Sequence, residues 1–314
     1  MKPIVTLTLN PAIDASCQAE VVRPIHKIRT SDERYDPGGG GINVARVIRE
    51  LGGEALAVYF AGGLTGQAFN HMIDAIGLAH RAVPIAGMTR VSHTVYERST
   101  GQEYRFVPEG PALAEAEWQA GIAALEGLET DYLVASGSLP KGVPADFYAR
   151  IARSARERGI RFVLDTSGEA LRQALEVGVH LIKPNLGELE RLLGRALPDP
   201  AAQEAAARGL VGEGRAEIVT VSLGADGALL ATRDGCLRLA APQIQPKSAV
   251  GAGDSFVAAM TLGLAEGRVP KDAFALAVAT GTATVLTMGT ELCRRADVLR
   301  IERQIRAEQI EAAA

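Results

Sequence analysis

From residue 112 onward the chain alternates short β-branched runs with amphipathic helical ones, and this alternation narrows the folds open to it more than any other feature. Tyr132–Ser136 (YLVAS) reads as a strand. Pro144–Glu157 reads as a helix, with Phe147, Ile151 and Ala155 on one face and Arg150, Arg153, Arg156 and Glu157 off it. Further strands are expected at Arg161–Asp165, His180–Lys183 and Ile218–Leu223, with helices near Ser167–Glu176, Leu186–Leu193 and Ala201–Gly212. Ala228–Ala240 reads as a hairpin turning at Arg233-Asp234-Gly235, and Ile4–Leu9 as a first, central strand. Repeated strand–helix–strand units predict an α/β fold. Its sheet is mostly parallel, helices cover both faces, and ligands bind at the carboxyl ends of the strands.

Two stretches break the pattern. Cys17–Tyr35 and Val91–Val107 alternate charged and apolar residues without helical spacing, and Ser99-Thr100-Gly101 supplies a hairpin turn in the second. Together they predict a small sheet lying over one end of the domain as a lid. Such a sheet has one apolar face to hide, which a second copy of the chain would cover, so a homodimer is expected.

Composition excludes several classes. The 314 residues are 47% apolar, enough for a large core. Lys+Arg number 33 against Asp+Glu 37, a net charge of −4, so no nucleic-acid partner is expected. The N-terminal run lacks the apolar block of a signal peptide. The longest uncharged stretch, Ala273–Thr290, carries five threonines and two glycines and predicts a buried helix rather than a membrane span. Cys17, Cys236 and Cys293 are scattered, with no CxxC. That pattern predicts a reduced, cytoplasmic protein without disulfides or a zinc site.

Four motifs carry chemistry. In Lys247–Phe256 (KSAVGAGDSF), Gly251 and Gly253 flank Ala252 and a long apolar helical run follows. Backbone amides at that helix start would face a bound anion, where the helix dipole favours negative charge. Asp254 projects from the same turn and is the candidate base for a substrate hydroxyl; the alternative is an ordinary helix cap made by Ser248 or Asp254. Gly38–Asn43 (GGGGIN) opens an amphipathic helix, and so many glycines suit close approach of backbone to a ligand. Asn43 can address sugar hydroxyls or cap the helix, and Asp14, in NPAID, can accept two hydroxyl hydrogens. In KPNLGE, Asn185 and Glu188 share one side of a first helical turn and suit Mg²⁺, while Lys183 suits a nucleotide phosphate; a Pro-initiated helix with an acidic first turn is the alternative. Ser222, Gly224 and Gly227 form a strand-to-glycine turn that could wrap a nucleotide or merely end a hairpin.

The order and spacing of these motifs resemble the PfkB group of ribokinase-like sugar kinases, across TLTLNPAID, PGGGGINVARVI, GQEYRFV, SGSLPKGV, DTSGEAL and SLGADGAL. The resemblance implies one ribokinase-like kinase domain over residues 1–314, with lid segments at about 15–36 and 88–107. It implies Asp254 as catalytic base with Gly251, Ala252 and Gly253 as an anion hole, and ATP with Mg²⁺ as cofactors. Asp14, Gly38, Gly39, Asn43, Arg90, Ser138 and Arg29 would bind a sugar phosphate. Lys183, Asn185, Ser222, Gly224, Gly227 and Lys27 would bind ATP, with Glu188 orienting the magnesium's waters. Ser248, Val250, Thr284 and Gly289 would hold a monovalent cation such as K⁺ through backbone oxygens. Gly40 stands where similar kinases of fructose 1-phosphate and tagatose 6-phosphate carry lysine, which favours fructose 6-phosphate as acceptor. The sequence departs from the pattern at Ala12, where serine is usual, and at Thr287 and Glu291, which replace an asparagine and an arginine.

Overall fold

The computed structural model describes residues 2–313, with side chains through 308. Strand β1 (Ile4–Thr8) is buried along its whole length. It pairs in parallel with β4 (Ala55–Ala61) on one side and β8 (Tyr132–Ser136) on the other. The chain builds outward from it in both directions. The strand order is β13-β12-β11-β10-β9-β8-β1-β4-β5, adding β5 (Ala79–Pro84), β9 (Arg161–Asp165), β10 (Val179–Ile182), β11 (Ala216–Ser222), β12 (Ala228–Thr232) and β13 (Gly235–Leu239). Only β12 runs antiparallel to the rest of this sheet. Because the order reverses at β1, a crevice opens between the carboxyl ends of β1 and β8, where sheets of this kind bind ligands.

Period-two alternation sends the strand residues to two separate cores. Ile4, Tyr132, Val134, Val163, Leu181 and Ile218 face one core with α1 (Gly40–Glu50), α8 (Ala252–Ala265), α9 (Pro270–Thr284) and α10 (Arg295–Ala313). Val5, Leu7, Leu133, Ala135, Phe162 and Leu164 face the other with α4 (Phe147–Glu157), α5 (Gly168–Val177) and α7 (Pro200–Gly212). A strand buried on both sides needs apolar residues at both parities, which is why YLVAS and RFVLD read as continuous apolar runs.

The expected elements all form, with shifted ends. The helix expected from Pro144 starts at Phe147, whose N–H closes a turn on the Pro144 carbonyl at 3.0 Å. The long uncharged stretch is the buried α9 followed by a turn. Among the described residues no helix is long and apolar enough to cross a membrane, and Cys17, Cys236 and Cys293 are free. Residues 51–84 add β4, α2 (Gly63–Ala75) and β5, which the sequence reading left unassigned.

The two irregular stretches pair into a second sheet. Its order is β3-β2-β6-β7, with β2 (Ala12–Ala19), β3 (Thr30–Gly38), β6 (Arg90–Glu97) and β7 (Gln102–Phe106). The β2–β6 pair is parallel and the outer pairs are antiparallel. The strands begin earlier than expected, and Asp14 lies inside β2. The glycine run also behaves differently: Gly40 and Gly41 are already helical and buried or half-buried, so the loop ends at Gly39.

Packing within the protein accounts for much of that run. A Cβ on Gly41 would stand 2.5 Å from Thr8 Oγ1 and 2.7 Å from the Leu7 carbonyl, so glycine lets α1 press against β1. Gly39 sits at φ 106°, a left-handed conformation that favours glycine. Gly41→Ala is therefore expected to cost about 1–3 kcal/mol in thermal unfolding. Gly209→Ala, inside α7 with nothing within 4 Å of the new methyl, is expected to be neutral or to stabilise by about 0.4–1 kcal/mol.

Candidate active site

The sheet's alternation places the site. Two residues beyond Val134 on the same face is Ser136; two beyond Val163 is Asp165; two beyond Leu181 is Lys183. All three therefore point to the α1–α8 side at the carboxyl end of the sheet. Asp254, in the first turn of α8, meets them there. Asn43 Nδ2 donates to Asp254 Oδ2 at 2.9 Å and Ser136 Oγ donates to Oδ1 at 3.2 Å. Lys183 Nζ lies 3.4 Å from Asp165 Oδ1, both side chains largely buried.

Burial pushes the Asp254 carboxyl up to about 7; the nearby Asp165 carboxylate adds to the rise, while Asn43, Lys183 and Ser136 oppose it. Burial raises Asp165 too, against the pull of Lys183. For Lys183 burial alone would lower the ammonium, yet Asp165, Glu188 and Asp254 hold it above its ordinary value. The candidate base is thus poised near neutrality.

The start of α8 is open. Gly251 takes φ 74° as its N-cap, and no side chain caps the helix. Ser248 Oγ instead accepts from Val250 N at 3.3 Å, and Asp254 is engaged by Asn43 and Ser136. The capping alternative fails on both residues, which leaves first-turn amides directed outward at the helix's positive end.

A cavity of about 170 Å³ runs from this turn to the small sheet, lined by Val250, Gly251, Asp254, Gly39, Gly40 and Asn43 at one end and by Asp14, Arg90, Ser92, Thr94 and Arg105 at the other. Strand pairing explains the far wall: Asp14 sits opposite Ser92, and Thr94 opposite Arg105, so these residues share one face of the small sheet. Burial lifts the Asp14 carboxyl to about 6 against the pull of Arg90, Arg46 and Arg105. Arg90 donates to the carbonyls of Pro108 and Asn10, both at 2.8 Å. Its Nε is buried without a partner. A shallower depression at Leu175–Gly178 and Glu213–Arg215 lies at the opposite, amino end of the strands, far from these groups.

Comparison with known proteins fits this arrangement. Residues 7–297 match the model of the pfkB family carbohydrate kinases. The chain belongs to that family. An ATP-dependent 6-phosphofructokinase isozyme 2 of Mycobacterium tuberculosis is 46% identical over 95% of this chain and 88% of its own length; the protein of the same name from Escherichia coli is 41% identical over 96% and 98%. A crystal structure of phosphofructokinase-2 from Escherichia coli in complex with potassium superposes with a TM-score of 0.94 at 39% identity, covering 97% of this chain and 99% of that one.

As a pfkB-family kinase the chain brings together Asp254, Gly251, Gly39, Asn43, Asp14 and Arg90 around one cavity. Gly38 lies directly against the Asp14 carboxylate. Other expected residues sit apart from it. Ser138 is exposed on the loop after β8; it is Ser136 that reaches the carboxylate. Lys27 and Arg29 are exposed between β2 and β3. Asn185 and Glu188 form a reciprocal capping box, Asn185 Oδ1 accepting from Glu188 N and Glu188 Oε2 from Asn185 N, each at 2.8 Å. Gly224 and Gly227 take φ 64° and 93° around a single 3-10 turn after Ser222, which is bridged to Asn185. Thr284 points its carbonyl at Thr287, whose N–H and Oγ approach at 3.1 and 2.7 Å, and Gly289 takes φ 58° in the same loop. Sequence reasoning missed Ser136, Asp165 and Arg105. Counting by twos along the strands would have found all three.

The raised Asp254 value has a stability consequence. The native state binds the proton up to about pH 7, whereas the unfolded chain releases it near 3.9. Ionising Asp254 therefore costs stability as pH rises between those values. Asp254→Asn is expected to melt above wild type at pH 8, with the gap closing as pH falls toward 4. Melting curves at the two pH values check this, and a constant gap would contradict it.

Proposed function

We propose that this chain transfers the γ-phosphoryl group of ATP to the C1 hydroxyl of fructose 6-phosphate, giving fructose 1,6-bisphosphate and ADP. One observation carries the reading: a carboxylate poised near neutral pH stands at an uncapped helix start, and two arginines stand at the far end of the same cavity. The hydroxyl end of a sugar phosphate would meet Asp254 while its phosphate meets Arg90 and Arg105. A guanidinium binds phosphate in a fork, and the unpaired Arg90 Nε has a donor to offer. The names of the relatives, and a crystal structure of the Escherichia coli enzyme in complex with fructose-6-phosphate, agree with this choice of acceptor.

In the reaction Asp254 takes the C1 hydroxyl proton as that oxygen bonds to the γ-phosphorus, and the bond to the ADP oxygen breaks. Charge on the moving group is spread over its equatorial oxygens. First-turn amides at Gly253 and Asp254 stabilise it, as oriented donors do in other acyl- and phosphoryl-transfer sites. Asn43 and Ser136 hold the carboxylate toward the acceptor, and Asp14 takes sugar hydroxyls. Lys183 faces the transferred phosphate from beneath the helix start, near Gly253. Ser222, Gly224 and Gly227 line the nucleotide side. Magnesium would supply charge neutralisation on the nucleotide phosphates. Glu188 keeps one carboxylate oxygen clear of its capping box for the ion's waters, and among the described residues no cluster of three acids, histidines or cysteines offers an all-protein cage. Carbonyls of Ser248, Val250 and Gly289 would suit potassium better than Thr284, which Thr287 covers.

The small sheet acts as the lid and as the contact with a second copy. Its outward face carries Tyr35, His93 and Phe106 in register, and Tyr35 and Phe106 are 59% and 57% exposed. A homodimer built on that face would also bring Lys27 and Arg29 to the subunit contact. Sedimentation of Phe106→Asp tests this, with a shift toward monomer expected.

ADP release across fructose 6-phosphate, fructose 1-phosphate and tagatose 6-phosphate is expected to be fastest with the first. Asp254→Asn should lower kcat by roughly 10²–10⁴ with little change in KM. Because Asp254 must be ionised to act, kcat/KM should fall as pH drops through about 7. Arg90→Ala should raise KM for the sugar phosphate far more than for ATP. Near-normal turnover by Asp254→Asn would remove that residue from the mechanism.

A further inference from the structure

Asn43 can help Asp254 only if its amide is turned the right way, since one end of that side chain donates and the other accepts. The residue that decides this is Arg46, one turn further along α1. Its guanidinium is a three-way fork. Nη1 donates to the Pro37 carbonyl at 2.9 Å and lies 3.5 Å from Asn43 Oδ1, and Nη2 donates to Asp36 Oδ1 at 3.3 Å. Only 14% of the side chain is exposed. With a cation against its oxygen, the Asn43 amide must direct its NH₂ the opposite way, onto Asp254.

The anchor of the fork belongs to the small sheet. Asp36, on β3, also accepts from Arg34 Nε at 2.6 Å and from Thr290 Oγ1 at 2.7 Å. Arg34 reaches on to Glu291 at 3.7 Å. Asp36 thus knots three segments: the end of β3, the first turns of α1, and the loop after α9 whose Thr290 lines the cavity. A carboxylate this buried needs its donors, so the knot is rigid when complete.

We propose that Arg46 is a positioning residue for phosphoryl transfer: clamped by Asp36 and Pro37 of the small sheet, it orients the Asn43 amide that holds Asp254. The position of β3 is thereby coupled to the base through three side chains. The inference rests on Asp254 being the base, and the test separates the two claims.

Arg46→Lys keeps the buried positive charge but loses the fork, so it is the variant of choice; Asp36→Asn is the second, should the first fail to fold. In steady-state assays with ATP and fructose 6-phosphate, each is expected to lower kcat by roughly ten- to hundredfold, the usual scale for a misplaced catalytic group, with both KM values close to wild type. In an Asn43→Ala background the same substitutions should have no further effect on kcat, because the amide they act through is gone. An unaltered kcat, or an equal fractional loss in both backgrounds, would overturn the proposal. Asp254→Asn is assayed alongside. Normal turnover there overturns the base itself, whereas a lowered kcat there beside a normal Arg46→Lys overturns only the role of Arg46.

Discussion

The structure depends on one carboxylate kept where water would not put it. Asp254 is desolvated at the start of α8, beside another buried acid, and its charge is tolerated only through donors aimed at it: Asn43 from α1, Ser136 from β8, and the ammonium of Lys183 close by. An unpaired ion there would be very costly. Three separate parts of the chain must therefore arrive at one point, and the fold is arranged so that they do. The reversal of strand order beside β1 opens the crevice, and α1 and α8 pack side by side over it.

The two helix starts at this crevice differ from ordinary ones in the same way. Neither α1 nor α8 has a side-chain cap, and each has a glycine N-cap with positive φ. By contrast α6 (Leu186–Leu193) and α7 are capped by Asn185 and Asp199. Capping normally stabilises a helix by about 1 kcal/mol. Helices α2, α4, α5 and α9 lack a side-chain cap too, so what sets apart the two helices that meet at the cavity is the positive-φ glycine at each start, which forgoes stability where backbone must stay uncovered. A buried aspartate nearby is a second such concession, and sites that carry strain or unbalanced charge are where function is usually found.

Much of this was legible in the sequence. The strands from Tyr132 to Ser222 were readable because apolar runs buried on both faces leave an unmistakable pattern. GAGD and GGGGIN stood out because glycine is expensive unless something needs it. What could not be read was which need applied. At Gly41 it is β1, pressed against the helix, rather than a ligand. Asp165 and Ser136 were hidden because each ends an ordinary strand and carries no local signal; only the side of the sheet they face gives them meaning. The capping box of Asn185 and Glu188 shows the converse, a motif whose spacing is already satisfied within the helix it starts. The small sheet was foreseen as two patches, but its parallel β2–β6 pairing joins segments about seventy residues apart, and local patterning has no access to that.

The central claim is that the migrating phosphoryl group rests on the free amides of α8 with Asp254 against the acceptor oxygen. A crystal structure with ADP, magnesium, aluminium fluoride and fructose 6-phosphate tests it most directly, because the planar fluoride mimics that group in flight. The fluoroaluminate is expected within hydrogen-bonding distance of the Gly253 and Asp254 N–H groups, with the C1 hydroxyl on the Asp254 carboxylate. A fluoroaluminate seated elsewhere, with Asp254 still held only by Asn43 and Ser136, would contradict it.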